Sequence, residues 1–124
     1  MQPNPVIWFE IYVSNLERAR RFYETVFQVQ LNKLDTPAPD IEMLSFPMQK
    51  HAAGAAGALC KMPGYHPGMG TVVYFACEDC AVEEARVQRA GGHVIRPKMS
   101  IGQYGAISLV VDTEGNMIGL HSMK

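Results

Sequence analysis

Apolar and polar positions alternate over residues 7–13 and then change period. Phe9, Ile11 and Val13 fall on one face of a predicted strand, and Trp8, Glu10 and Tyr12 on the other, because successive side chains of an extended chain point to opposite sides. The first face is wholly apolar and is expected to meet a helix. The second mixes aromatic rings with a carboxylate, as a ligand-facing surface would. Asn15 follows, and its side-chain oxygen can accept from the unpaired amides of a first helical turn. Leu16, Ala19, Phe22, Tyr23, Val26 and Phe27 recur at helical spacing and predict one apolar stripe on a helix, with Arg18, Arg20, Arg21 and Glu24 on its wet side.

The same order of events returns later in the chain. Residues 72–77 predict a strand, Asp79 a second helix cap, and residues 81–90 a second helix, with Glu83 and Glu84 suited to its positive end. Gly91-Gly92 is expected to end that helix, since glycine takes the left-handed conformation without steric cost. Three short strands are predicted after each helix. In the first half they fall at residues 30–35, 41–46 and about 58–61; in the second half at 93–96, 106–112 and 117–122. Pro and Gly punctuate the loops, most densely at residues 63–70. The chain therefore reads as one domain of two modules, about residues 6–62 and 71–123, joined by a loop at 63–70.

Composition narrows the classes of partner. The chain has 124 residues, 48% hydrophobic and 19% charged, with a net charge of −1, which fits a globular domain with its own core. No basic stripe appears, so nucleic acid is not expected as a partner, and no apolar run approaches a bilayer span. The stretch Met1-Gln2-Pro3-Asn4-Pro5 lacks the basic and apolar regions of a secretory signal, so a cytoplasmic location is expected. Cys60, Cys77 and Cys80 are odd in number and do not form a disulfide framework pattern. Cys77 and Cys80 have Cys-x-x-Cys spacing, but a structural zinc site would need a second ligand pair. Methionines such as Met43 and Met48 are expected to fill gaps in the core.

With these segments placed, the chain resembles the vicinal oxygen chelate superfamily, which includes glyoxalase I, bleomycin-resistance proteins and extradiol dioxygenases. The resemblance is carried by residues 13–19 (Val-Ser-Asn-Leu-Glu-Arg-Ala) with Phe22-Tyr23 and Val26-Phe27. In the second half it is carried by Glu78-Asp79, Ala90-Gly91-Gly92, Pro97, and Asp112-Thr113-Glu114-Gly115-Asn116 leading into Ile118. It implies an α+β fold of two βαβββ modules forming a cleft. It also implies that metal-dependent members place four ligands in that cleft, from the first and fourth strands of each module. Carried over by spacing, those positions are Trp8, Val72 and Gly119, with the fourth near Ala58. None of the four offers a metal donor, so no metal and no other cofactor is expected at the usual site.

One pleat further along the same strands the residues change character. Glu10, Tyr74 and His121, with Cys60 beside them, would present a carboxylate, a phenol, an imidazole and a thiol to one cavity. Each also has an ordinary reading: a carboxylate paired with a cation, a core aromatic, a surface histidine near the chain end and a small buried hydrophobe. Two readings of function stand at this point. In the first, a glyoxalase-like protein binds or transforms a small organic molecule, by a lyase- or isomerase-like reaction. Glu10 and His121 are then its catalytic pair, and Trp8, Tyr12, Cys60, Tyr74 and Gln103 line its site. In the second, a binding or sequestering protein of the bleomycin-resistance type holds a drug-sized molecule without chemistry. A divalent metal displaced to Glu10 and His121 is the further alternative. By resemblance alone, a homodimer is expected.

Overall fold

The computed structural model describes residues 4–68 and 70–124. The N-terminal reading above and Met69 of the joining loop fall partly or wholly outside them. Among the described residues, eight strands and two helices follow the predicted order, and an unpredicted 3-10 turn lies between the first and second of the last three strands. They are β1 (Val6–Tyr12), α1 (Leu16–Phe27), β2 (Asn32–Leu34), β3 (Glu42–Ser45), β4 (Ala56–Lys61) and β5 (Val72–Ala76). After these come α2 (Cys80–Val87), β6 (His93–Ser100), the 3-10 turn η1 (Gly102–Tyr104), β7 (Ala106–Val111) and β8 (Met117–Ser122). Two compact units emerge. One is Trp8–Thr71; the other joins the stretch up to Ile7 with Val72–Lys124. The second unit thus takes in the start of β1, where the Ala76 amide donates to the Pro5 carbonyl at 2.9 Å.

In the first unit β1 lies parallel to β4, β4 antiparallel to β3, and β3 antiparallel to β2. In the second, β5 lies parallel to β8, β8 antiparallel to β7, and β7 antiparallel to β6. Each module is therefore β-α-β-β-β, with its first strand beside its fourth. A parallel neighbour needs a long connection, and the helix and two intervening strands supply it.

Both helix caps form as the sequence predicts. Asn15 accepts from the Arg18 amide at 2.9 Å, and Asp79 from the Ala81 amide at 3.0 Å. The second helix is shorter than expected. After Val87 the chain closes with Gly92 N–H donating to the Val87 carbonyl and Gly91 N–H to the Gln88 carbonyl. Gly91 stands at φ 101°, the left-handed stop of a Schellman ending.

In each unit the strands turn one apolar face to the helix. In the first unit Val13, Leu31, Leu44 and Leu59 form the buried cluster, joined by Ile11, Leu16, Ala19, Tyr23 and Phe46. In the second, Cys80, Ala106, Val110 and Leu120 are joined by Phe75, Cys77, Val87, Val94 and Ile118. The α1 stripe is wider than the sheet that it covers: Phe22, Val26 and Phe27 are exposed. Met48 is also exposed, contrary to its expected role as a core filler. Among the described residues no helix is long and apolar enough to cross a membrane.

Candidate functional site

Trp8, Glu10 and Tyr12 share one face of β1, as the alternation predicts. Glu10 is 6% exposed, and both of its neighbours on that face reach it. The Trp8 indole Nε1–H donates to Oε2 at 3.2 Å, and the Tyr12 hydroxyl donates to Oε1 at 3.1 Å. A buried carboxylate without hydrogen bonds would be costly; here each oxygen accepts one from an aromatic side chain. Because all three groups stand on one strand, pleat geometry fixes their spacing.

The parallel register extends this face across the sheet. Glu10 lies opposite Ala58 and Tyr12 opposite Cys60. Ala58 in turn lies opposite Ser45, and Cys60 opposite Met43. Ala58 and Cys60 are fully buried and Ser45 nearly so. Burial, and next the charge of Glu10, push the Cys60 thiol up from 9.0 to about 12. It is therefore a neutral thiol at ordinary pH and a poor nucleophile. Tyr12 also contacts Tyr65, with ring centroids 5.0 Å apart and planes tilted by 42°. A depression of about 310 Å³ opens beside Tyr12, lined also by Ile11, Pro67, Gly68, Gly70 and Thr71.

The second unit repeats the register. Tyr74 lies opposite Gly119 and Ala76 opposite His121. Tyr74 thus matches Glu10, Gly119 matches Ala58, and His121 matches Cys60. By register, Ala58 is the counterpart in the first unit of Gly119 in the second. Gly119 has a packing reason to be glycine: a Cβ there would lie 2.2 Å from Cδ2 of Tyr74, whose ring covers it. His121 is half-buried, and its Nε2 lies 2.6 Å from the Tyr104 carbonyl of η1. A carbonyl oxygen only accepts, so Nε2–H is the donor in this contact. Gln103, in the same turn, is exposed.

The structure therefore brings Trp8, Glu10, Tyr12 and Cys60 together on one sheet, and sets Tyr74 and His121 along the matching face of the other unit. Sequence reasoning missed Tyr65, which lies in the stretch read as a connection. It also missed the Tyr104 carbonyl as the partner of His121. The Pro63-Gly64 pair was the available signal for Tyr65, since it marks a tight turn that returns the chain to the strand end.

The family metal positions do not fit an ion. The one polar side-chain atom of Trp8 donates to Glu10, Val72 and Ala58 are buried aliphatic groups, and Gly119 is covered by an aromatic ring. Among the described residues no group of three or more His, Cys, Asp and Glu side chains is placed to hold a metal ion. Cys77 and Cys80 are free thiols. Burial, followed by the charge of Glu83, pushes Cys77 up to about 11, which opposes a reactive redox pair. A second depression, about 340 Å³, is lined by Glu78, Asp79, Val82, Glu83, Arg86 and Lys124. It is somewhat larger but holds none of the predicted site residues, and its Asp79 is engaged by Lys98 at 2.8 Å.

Comparisons with known proteins agree with this architecture. A family model described as the Glyoxalase/Bleomycin resistance protein/Dioxygenase superfamily matches residues 6–120. A curated protein of Mycobacterium bovis, and its counterpart in Mycobacterium tuberculosis, carry the name "Putative glyoxylase CFP32". Each is 28% identical over 116 residues, a match covering 91% of this chain and 43% of the relative. The chain thus spans less than half the length of these relatives. A methylmalonyl-CoA epimerase of Streptomyces coelicolor, solved with 2-nitronate-propionyl-CoA, aligns with a TM-score of 0.69 at 13% identity, covering 98% of this chain and 95% of that one. The epimerase of Mycobacterium tuberculosis aligns with a TM-score of 0.68 at 12% identity, covering 97% and 88%. At such identities the likeness is one of fold. With its two βαβββ modules and a family match over nearly its whole length, the chain belongs to the glyoxalase/bleomycin-resistance/dioxygenase superfamily.

Proposed function

We propose that this protein binds a small organic molecule on the Trp8–Glu10–Tyr12 face and transforms it without a metal at the family's usual position. One observation carries the reading: a carboxylate 6% exposed, mounted on a strand and held by two aromatic donors. Such a group is an acceptor fixed in advance, able to orient a hydroxyl, amide or acidic C–H of a ligand. Trp8 and Tyr12 supply apolar walls, backed by Cys60, which is fully buried opposite Tyr12; Tyr74 and Gln103 are proposed as ligand contacts in the other unit. On the matching face of the other unit, His121 is proposed as an acid–base group, its Nε2 held by the Tyr104 carbonyl. The reaction class proposed is that of an isomerase or lyase acting by proton transfer. The epimerase neighbours act on methylmalonyl-CoA by their names, which places acyl-CoA thioesters among the first compounds to try. The protein is further proposed to work in the cytoplasm as a homodimer, to be tested by cell fractionation and gel filtration.

Trp8 is the one tryptophan of the chain, so its fluorescence reports directly on this face. A panel of small carbonyl compounds and acyl-CoA thioesters is titrated against the protein, and any binder is followed for product by mass spectrometry. Turnover that falls at least tenfold in Glu10→Gln and in His121→Ala supports the roles. Unchanged turnover in both variants rejects them.

A second reading, binding without chemistry, is favoured by the same two hydrogen bonds. They draw on the acceptor capacity of both Glu10 oxygens, which suits a fixed anchor better than a proton acceptor. A ligand that quenches Trp8 and is recovered unchanged after prolonged incubation would decide for it.

A further inference from the structure

We propose that Tyr65 is a positioning residue for Glu10, acting through Tyr12; the proposal rests on the reading that Glu10 is the group that meets the ligand. Residues Met62, Pro63, Gly64 and Tyr65 form a tight turn, with the Tyr65 amide donating to the Met62 carbonyl at 3.3 Å and a bridge between the two residues. Gly64 takes φ 83°, and a Cβ there would meet nothing within 4 Å. Conformation, not space, therefore calls for glycine, as in a type II turn with proline ahead of it.

The turn begins two residues after Cys60, and Cys60 lies opposite Tyr12 in the β1/β4 register. Reversal at Pro63-Gly64 returns the chain to the end of β1, where the Tyr65 ring meets the Tyr12 ring at a 5.0 Å centroid separation. Tyr12 is thereby held at both ends. Its ring rests on Tyr65, and its hydroxyl donates to Glu10 Oε1 at 3.1 Å. The opposite oxygen of the same carboxylate receives Trp8 Nε1–H at 3.2 Å. A chain of contacts thus runs from the turn to Tyr65, Tyr12, Glu10 and Trp8. A Tyr12 ring released from Tyr65 would tilt, lengthen its bond to Oε1 and let the carboxylate pivot against Trp8. Ring contact is what Tyr65 contributes on this account, so phenylalanine should replace it.

The single Trp8 indole gives one Nε1–H cross-peak in a 15N–1H correlation spectrum, and that peak reads the far end of the chain without any ligand. It is recorded for wild type, Tyr12→Phe, Tyr65→Ala and Tyr65→Phe, each checked for folding by amide dispersion. The expected result is that Tyr12→Phe and Tyr65→Ala displace the indole peak in the same direction, while Tyr65→Phe leaves it at the wild-type position. If Tyr65→Ala loses the fold, Tyr65→Leu replaces it, retaining bulk without the ring. An indole peak unmoved by loss of the Tyr65 ring, in a folded variant, overturns the proposal, as does a Tyr65→Phe displacement equal to that of alanine. A wrong choice of ligand class cannot affect this result, so failure of the functional reading and failure of the positioning role are told apart.

Discussion

Gly119→Ala is the substitution whose cost the structure sets most directly. The added Cβ would lie 2.2 Å from Cδ2, 2.3 Å from Cε2 and 2.7 Å from Cγ of Tyr74. Carbon atoms pack best at about 3.5–4.0 Å, so the ring or the strand must yield by more than about 1 Å. Tyr74 is 5% exposed and has little room to move. Overpacking of this kind costs about 1–3 kcal/mol. Alanine recovers about 0.4–1 kcal/mol by restricting the unfolded chain, so the middle of each range leaves a net loss of about 1.3 kcal/mol. With a urea dependence of about 1–3 kcal/mol per molar, the unfolding midpoint should fall by roughly 0.4–1.3 M. The same substitution in a Tyr74→Leu background should cost at least about 1 kcal/mol less, because the two sites share one contact. A Gly119→Ala protein as stable as wild type, or an equal loss in both backgrounds, would refute the packing argument.

Two further predictions concern the cap and the thiols. Asn15→Ala removes the acceptor of the Arg18 amide at 2.9 Å and should lower stability by about 1 kcal/mol, measured by the same urea titration. For Cys60 the ordinary value is 9.0 and the folded value about 12. Below the first, both states keep the proton and stability is fully present. As pH rises between the two, the unfolded chain releases a proton that the folded chain holds, so stability falls. Cys60→Ala should flatten that alkaline decline, and a decline equally steep in the variant would count against the burial argument.

The modular plan was legible because its signals are local. Asn15 and Asp79 cap at matching places, and the alternation of β1 assigns its two faces before any contact is known. Three features resisted for physical reasons. Sequence reading starts β4 late because Ala56-Gly57 looks like a loop, whereas Gly57 is a strand residue that leaves room for the Phe9 ring, whose carbons lie 2.5 Å from a built Cβ. It ends β6 early because Pro97 breaks strand patterns; the strand passes it through register shifts on either side of Arg96, and the Lys98 amide donates to Glu84 instead. The third is the wide stripe of α1, since periodicity marks apolar positions but not how much of them a four-stranded sheet can cover. At the site, facing was readable for Glu10, Tyr12 and Cys60. The brackets around Glu10 and His121 were not, because they depend on side-chain reach and on a backbone carbonyl many residues away.

The central claim is that ligand recognition occurs on the face that carries Glu10. Chemical-shift mapping with the first compound found to quench Trp8 tests it most directly. The account predicts the largest changes at the Trp8 indole and at the amides of Glu10, Tyr12, Ala58 and Cys60, with loss of these changes in Glu10→Gln. Changes concentrated instead at Glu78, Asp79, Glu83 and Lys124, and surviving that substitution, would contradict it.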